Sequence, residues 1–435
     1  MTFSKLAIKN VSWASASQFG RQLVQYATTL ILVGLLNPKD FGLMALALIV
    51  VGFLEIFKDL GTGVAIIQRP NPSKELLSSI FWVNIVAGFI VTLLIYLSAD
   101  LVAAFFNNDN LKDVLRVLSI SFFISSFGIT SKSLLQKDHK FKLISTAELI
   151  STVIGATVAI IMALSGFGVW SIVFQSLISI IIGTTLILTF HTWKPSFIFN
   201  KSEIISISKF SLNQTGYNFS NYFARNLDYI LIGKFLNDYY LGHYFLAYRI
   251  MLYPVQNISA VVSRVMFPIY SEIQNDNARF RSIYQKVSNT ISLITFPSLI
   301  GLAAISGSFV SSFFGNQWNP DLLQILILIL APVGVLQSLT STTGSVYQAK
   351  GRTDWLFRWG ISTACLSAIA FIIGINWGVI GVAVSYLIVS SLWNYHCFAI
   401  PFKLISLKVL NYFKQFSSTL LISLSMALLI YLMQL

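Results

Sequence analysis

Twelve apolar stretches of helix-crossing length follow one another along the chain, with a shorter thirteenth near its end. They run over 10–35, 41–67, 76–98, 113–134, 143–165 and 168–190, then over 205–233, 242–268, 283–306, 320–347, 355–376 and 378–400. The last run, 416–433, crosses if it sits in thin or locally thinned lipid. About 20 residues at a rise of about 1.5 Å match a hydrocarbon core roughly 30 Å thick. Lipid offers the backbone no hydrogen-bond partner, so each stretch must close its own bonds as a helix. The expected fold class is an all-α polytopic membrane protein. Only 10% of the residues are charged, against about a quarter in a soluble domain, which points the same way.

Basic residues fill alternate gaps. Lys5 and Lys9 precede the first span; Arg69 and Lys74 follow the second, Lys132, Lys137, Lys140 and Lys142 the fourth, and Lys194, Lys201 and Lys209 the sixth. The pattern continues with Arg279, Arg281 and Lys286, then Lys350, Arg352 and Arg358, then Lys403, Lys408 and Lys414. The intervening gaps hold Lys39, Lys112, Arg116 and Lys234 beside Asp100, Asp109, Asp113 and Asp321. The positive-inside rule then puts the N-terminus and every even-numbered gap in the cytoplasm, and an odd thirteenth span puts the C-terminus outside. The net charge of +13 is therefore scattered over loops and forms no patch for nucleic acid. The first run contains Arg21 and lacks a small-x-small cleavage site, so it is expected to stay as a membrane helix.

One stretch breaks the apolar rule. Between Ser211 and Gly233, the residues Gln214, Asn218, Asn221, Arg225 and Asp228 recur at steps of three or four and form a polar stripe on a helix. Charges at hydrocarbon depth are costly, and by default they face a wet cavity or a substrate path. Gln18, Arg21, Gln22, Gln25 and Thr28 make a similar face on the first span.

The two faces are related by an internal repeat. ILVGLLNPKDFGLMALA from Ile31 resembles ILIGKFLNDYYLGHYFLA from Ile230, with Gly34 against Gly233 and Gly42 against Gly242. Gln136 followed by GFGVW from Gly166 echoes Gln348 followed by NWGVIG from Asn376. Two parallel halves of six spans follow, with a site expected at their interface. The expected division is 1–200 and 201–402, with 403–435 forming a linker and an extra helix.

Further charges sit within the spans: Glu55, Lys58 and Asp59 in the second, Glu148 in the fifth, Arg249 and Arg264 in the eighth. Some have local explanations. Arg225 and Asp228 stand at the spacing to neutralise one another, Lys58 can be absorbed by Glu55 and Asp59, and Arg264 and Glu148 are near enough to helix ends to snorkel. The sign nevertheless favours cations, with Arg21, Lys58, Arg225, Arg249 and Arg264 against Glu55, Asp59 and Asp228. Surplus cations suit an anionic ligand, and the arginine fork matches phosphate oxygens. The carboxylates Asp228, Glu55 and Asp59 are the candidates for a coupling ion, H+ or Na+.

Enzyme chemistry finds no support. The chain has no Gly-rich phosphate loop ending in Lys-Ser/Thr, no HExxH and no Asp-rich loop cluster. Cys365, Cys397 and four dispersed histidines suggest no metal site, and no cofactor is expected.

SLLQKDHKFKLISTAELI followed by GFGVWSIVFQSLIS resembles the bacterial polysaccharide-transporter family of O-antigen and exopolysaccharide exporters. The resemblance continues through DLGTGVAIIQR at Asp59, RNLDYILIGKFL at Arg225, LGHYFLAYRIMLYPVQNI at Leu241, SRVMFP at Ser263 and TTGSVYQAKGRTD at Thr342, nearly to residue 400. That family belongs to the multidrug/oligosaccharidyl-lipid/polysaccharide exporter superfamily. The resemblance implies two six-helix lobes around a central cavity and alternating-access export of an undecaprenyl-diphosphate-linked oligosaccharide at the bacterial inner membrane. It also implies a polysaccharide polymerase or chain-length protein as partner. Arg225, Asn226, Asp228, Arg249 and Arg264 fall on its motifs; Arg21, Gln18, Gln25, Lys58, Gln214, Asn218 and Asn221 rest on the residue argument alone. A multidrug antiporter of the same superfamily is the alternative, disfavoured by the cation surplus, and a membrane polysaccharide synthase lacks its acidic motif. Relatives with a longer C-terminus add a pair of helices where this chain has one short run.

Overall fold

The computed structural model describes residues 3–59, 62–63, 66, 72–138, 140–201, 222 and 226–434, and among these the side chains of 3–16, 56–59, 257–265, 267–269, 271–272, 353–354 and 356–357 are left aside. The described residues contain helices and no strand. The first unit holds α1 (Phe3–Leu35), α2 (Pro38–Asp59), α3 (Lys74–Phe106), α4 (Asn110–Ser126), α5 (Ile129–Lys137), α6 (Phe141–Leu164) and α7 (Trp170–Phe190). The second holds α8 (226–235), α9 (Asp238–Glu272), α10 (Asn277–Ala304), α11 (Ser306–Phe313), α12 (Pro320–Thr340), α13 (Thr343–Ala349), α14 (Thr353–Gly374), α15 (Gly378–Leu404), α16 (Val409–Lys414) and α17 (Ser417–Gln434). The two compact units divide between Phe223 and Ala224.

Local chemistry starts and stops these helices. The Ser73 hydroxyl accepts from Leu76 N at 3.0 Å, Asp276 from Ala278 N and Arg279 N, and Asn319 from Leu322 N, with Pro320 in the first turn. Asn107, at φ 52°, closes α3 in the left-handed region, which asparagine tolerates.

Seven helices among the described residues are long and apolar enough to cross a membrane, or eight if one bent pair is a single span. One of the seven, Arg358–Leu404, qualifies as a continuous 47-residue run. Straight, it would be roughly 70 Å long, more than twice the hydrocarbon thickness. It is in fact a hairpin: Gly378 turns the chain at φ 71°, and α14 packs along α15.

The fourth predicted span departs from the sequence expectation of one helix, whereas the tenth runs over Pro320–Ala349 as one span with a turn at Ser341 and Thr342. The fourth is broken between α4 and α5 with a bend of 46°, while α12 and α13 together make one 30-residue span. Hydroxyls sit at both places. Ser125 and Ser126 donate to the carbonyls of Phe122 and Phe123, while Thr340, Ser341 and Thr343 donate to those of Gln337, Ser338 and Thr340. Such back-bonding competes with the helical ladder and bends it. The short helices that follow end in matching turns. Asp138 N donates to Leu134 O at 2.8 Å and Lys140 N to Leu135 O at 2.9 Å; Lys350 N donates to Val346 O at 3.0 Å and Arg352 N to Tyr347 O at 2.8 Å. The echo between Gln136 and Gln348 is thus a repeated local structure.

Loop contacts show which helix ends lie together. In the first unit Asp40 Oδ1 accepts from Val169 N at 2.9 Å, joining the gaps after the first and fifth spans. At the other end Lys137 Nζ reaches Ile66 O at 3.2 Å, and Ser196 N and Asn200 N donate to the hydroxyls of Ser78 and Ser79. In the second unit Arg281 Nη1 donates to Ser406 O at 3.0 Å, and Lys350 Nζ to Asn277 Oδ1 at 2.7 Å. Even-numbered gaps therefore meet even-numbered gaps within each unit, as helices that reverse direction at every crossing require.

Candidate functional site

In the first unit α1 packs against α6, and this contact assembles a charged cluster. Arg21 Nη2 donates to Gln18 Oε1 at 2.6 Å, one turn back on the same helix. Its Nη1 lies 3.8 Å from Glu148 Oε2 on α6, and Lys132 Nζ on α5 lies 2.9 Å from Glu148 Oε1. The side chains of Arg21, Glu148 and Lys132 are 30%, 34% and 45% exposed, so an incoming ligand can reach them. Two cations share one carboxylate, leaving one positive charge over. Arg21 Nε is buried with no hydrogen-bond partner, so the guanidinium keeps an unused donor. Gln25 stands about one turn beyond Arg21 on α1, half-buried, and its backbone carbonyl accepts from Thr29 Oγ1 at 2.8 Å.

Residue-by-residue reading of the sequence placed Arg21 and Gln18 together and missed their partners. Glu148 lies 127 positions away and Lys132 sits in a basic gap, and no periodicity links either to Arg21. The signal was the cost of a lone carboxylate two turns inside an apolar helix.

Glu55 is exposed on α2, whose last turn carries Lys58 and Asp59 with side chains outside those described. Tyr222, from the polar central stretch, packs on the same helix: its hydroxyl donates to Ile49 O at 2.6 Å and its ring lies 6.0 Å from that of Phe53. Gln214, Asn218, Asn221 and Arg225 lie outside the described residues.

In the second unit Asp228 is only 4% exposed on α8. Tyr244 Oη donates to its Oδ2 at 3.0 Å, and Tyr229 N donates to its Oδ1 at 2.9 Å. Aromatic rings continue from there: Tyr244 stacks on Tyr248 with centroids 5.9 Å apart, and the hydroxyls of Tyr248 and Tyr386 are 3.3 Å apart. Gln337 Nε2 donates to Tyr386 Oη at 2.6 Å and to Tyr248 Oη at 3.3 Å. A carboxylate is thus held inside the unit by neutral donors. Arg249 is exposed on α9 with its guanidinium carbon 5.8 Å from the Phe245 ring centroid, and Asn226 is half-buried. Arg264 lies on α9, its side chain outside those described. Among the described residues no group of three or more His, Cys, Asp or Glu side chains could hold a metal ion.

Comparison with known proteins places the whole arrangement. A family model described as "Polysaccharide biosynthesis protein" matches residues 31–323. The chain is 30% identical over 396 residues to the teichuronic acid biosynthesis protein TuaB of Bacillus subtilis (strain 168), covering 89% of this chain and 81% of the relative. It is 27% identical to the lipopolysaccharide biosynthesis protein WzxC of Escherichia coli (strain K12), covering 89% and 79%. Among solved structures it is similar to the lipid II flippase MurJ in an inward closed conformation, with a TM-score of 0.78, 18% identity and coverage of 97% and 93%. An inward-facing multidrug resistance MATE family transporter of the MOP superfamily gives a TM-score of 0.70 at 17% identity, covering 88% and 94%. These likenesses establish the fold, and the family match establishes the kinship: the chain belongs to the polysaccharide biosynthesis protein family, as a multi-pass membrane protein with the fold of the MOP exporters.

Proposed function

We propose that this protein is a flippase that carries a diphosphate-linked, polyprenyl-anchored oligosaccharide across the bacterial inner membrane for cell-surface polysaccharide assembly. The observation that carries the reading is the Arg21 cluster: two cations on one carboxylate, with one positive charge in excess on side chains that a ligand can reach. A diphosphate stripped of water needs such partners, since desolvating an ion costs several kcal/mol unless it is paired. Relatives named as polysaccharide-biosynthesis and transport proteins, among them the succinoglycan biosynthesis transport protein ExoT of Rhizobium meliloti (strain 1021), support the same reading. In this proposal Gln18, Gln25, Lys58, Gln214, Asn218, Asn221, Arg225, Asn226, Arg249 and Arg264 contact the diphosphate or its sugars. The N-terminus is cytoplasmic, as the basic even gaps suggest, and a polymerase or chain-length protein takes over the exported unit. Deleting the gene tests the function. Lipid-linked oligosaccharide should accumulate and surface glycan should vanish until the wild-type gene is returned; unchanged surface glycan and no accumulated intermediate would refute it.

Glu148 then acts as the resident anion that the substrate displaces. Glu148→Gln leaves Arg21 and Lys132 unneutralised, so undecaprenyl diphosphate should bind roughly tenfold tighter while export falls, because release now lacks a competitor. Binding to the purified variant and surface glycan in cells check this together. Weaker binding would mean that the carboxylate only props up the fold.

Asp228 is proposed as the coupling group, and its surroundings favour a proton over sodium. Both oxygens already accept from N–H or O–H donors, which point their hydrogens where a metal ion would sit. Asp228→Asn should cut export about tenfold and abolish its response to the proton gradient. Replacing sodium by choline should leave the wild type unaffected, and a sodium requirement in the wild type would overturn the assignment.

A further inference from the structure

A cavity of about 360 Å³ opens in the second unit, walled by the first turns of α10 and by Gln415, in the two-residue link between α16 and α17. It lies at the end where the even-numbered gaps meet, since Arg281 on its wall also donates to Ile405 O and Ser406 O. Arg281 and Lys286 bring two positive charges to it, and no carboxylate lines it. The backbone bonds use only Nη1 of Arg281, so they fix the guanidinium while its other N–H groups stay available.

Two further wall atoms are unmatched. Asn289 Oδ1 and Gln415 Nε2 are both buried without a hydrogen-bond partner. Buried polar atoms of this kind are few in native proteins and need a partner, either ordered water or a ligand. Here the ligand must offer an acceptor to Gln415, a donor to Asn289 and negative charge to Arg281 and Lys286. Inorganic phosphate monoanion or dianion satisfies the charge but is too small to reach every wall atom of a cavity this size.

The neighbouring surface indicates where such a ligand comes from. Leu410 is 67% exposed on α16 and Phe413 is exposed beside it, and α17 presents Leu420, Leu421, Ile422 and Leu424 outward. The cavity therefore stands where basic loops give way to an apolar, lipid-facing surface, the depth of lipid headgroups. We propose that it binds the headgroup of an anionic phospholipid bearing a free hydroxyl, with the phosphate on Arg281, Lys286 and Gln415 and the hydroxyl donating to Asn289. This site is separate from the Arg21 cluster and does not depend on what the protein transports.

The test uses the purified full-length protein in a neutral detergent, with thermal stability and native mass spectrometry as readouts. Dioleoyl phosphatidylglycerol should raise the melting temperature and remain bound in the spectrometer, and dioleoyl phosphatidylcholine should do neither. Lys286→Ala changes an exposed side chain, so it should fold normally and bind phosphatidylglycerol about tenfold more weakly. Gln415→Ala provides a second variant without altering the charge and should also weaken binding. Equal effects of the two lipids, or unchanged phosphatidylglycerol binding in both variants, would overturn the proposal. So would equal protection by glycerol 3-phosphate or inorganic phosphate, which would make the site one for a soluble anion.

Discussion

Replacing Arg21 by alanine should reduce glycan export by about two orders of magnitude while the protein stays in the membrane at its normal level. Each hydrogen bond to a charged group contributes about 1.5–3 kcal/mol, and losing the bidentate pair that the fork can offer phosphate is enough for a factor of roughly one hundred. The fold should tolerate the change. Arg21 is 30% exposed, and its 3.8 Å approach to Glu148 is a solvent-screened pair, so its loss costs about 1 kcal/mol or less. Arg21→Lys keeps the charge without the planar fork and should fall between, near a tenfold loss. Surface glycan against membrane-protein level measures both variants. Arg225→Ala, on the central polar stretch, is expected to match Arg21→Ala in the same assay.

Valine at Gly381 should lower stability by about 3 kcal/mol and strip most of the protein from the membrane fraction. Gly374 and Gly381 let α14 and α15 approach closely in their hairpin. A Cβ on Gly381 would run into the carbonyl oxygen of Gly374 and come within 2.7 Å of Trp377 Cβ. The converse holds for Gly374, where a Cβ would meet Gly381 O at 2.6 Å. These obstacles are largely backbone, which no rotamer change can clear, so the helices must separate. Gly360, on the same hairpin, has nothing within 4 Å of its would-be Cβ. Gly360→Ala should therefore melt at or slightly above the wild-type temperature. Melting curves in detergent for Gly381→Val and Gly360→Ala decide the matter, and coincident curves would show that the close approach is unimportant.

The described helices of the first unit and of the second from 238 onward were largely legible in the sequence because their signal is cumulative: some twenty apolar residues outweigh any single exception. Most of the expected seventh span, 205–233, lies outside the described residues. The pairing of even gaps was legible too, since Lys137, Lys350 and Arg281 sit in the basic gaps and bond across to neighbouring even gaps. The break in the fourth span was not, although Ser125 and Ser126 were in view. Hydroxyls in a helix can equally point outward without bending it, and only the back-bonds settle which happens. The site was half legible. Gln18 and Arg21 belong to one helix face, which spacing reveals, whereas Glu148 reaches Arg21, and Lys132 reaches Glu148, from two other helices through lateral packing. Asp228 was visible as a costly charge, but its tyrosine donor Tyr244, and Tyr248 and Tyr386 beyond it, read as ordinary aromatic residues.

The most direct test of the central claim is a flipping measurement in vesicles containing an undecaprenyl-diphosphate-linked oligosaccharide and either the wild type or Arg21→Ala. A membrane-impermeant glycosidase outside the vesicles reports how much of the sugar initially on the inner leaflet becomes accessible. The wild type should expose nearly all of it under an imposed proton gradient, and Arg21→Ala should leave it protected as in protein-free vesicles. Equal exposure with both proteins, or none with the wild type, would contradict the account.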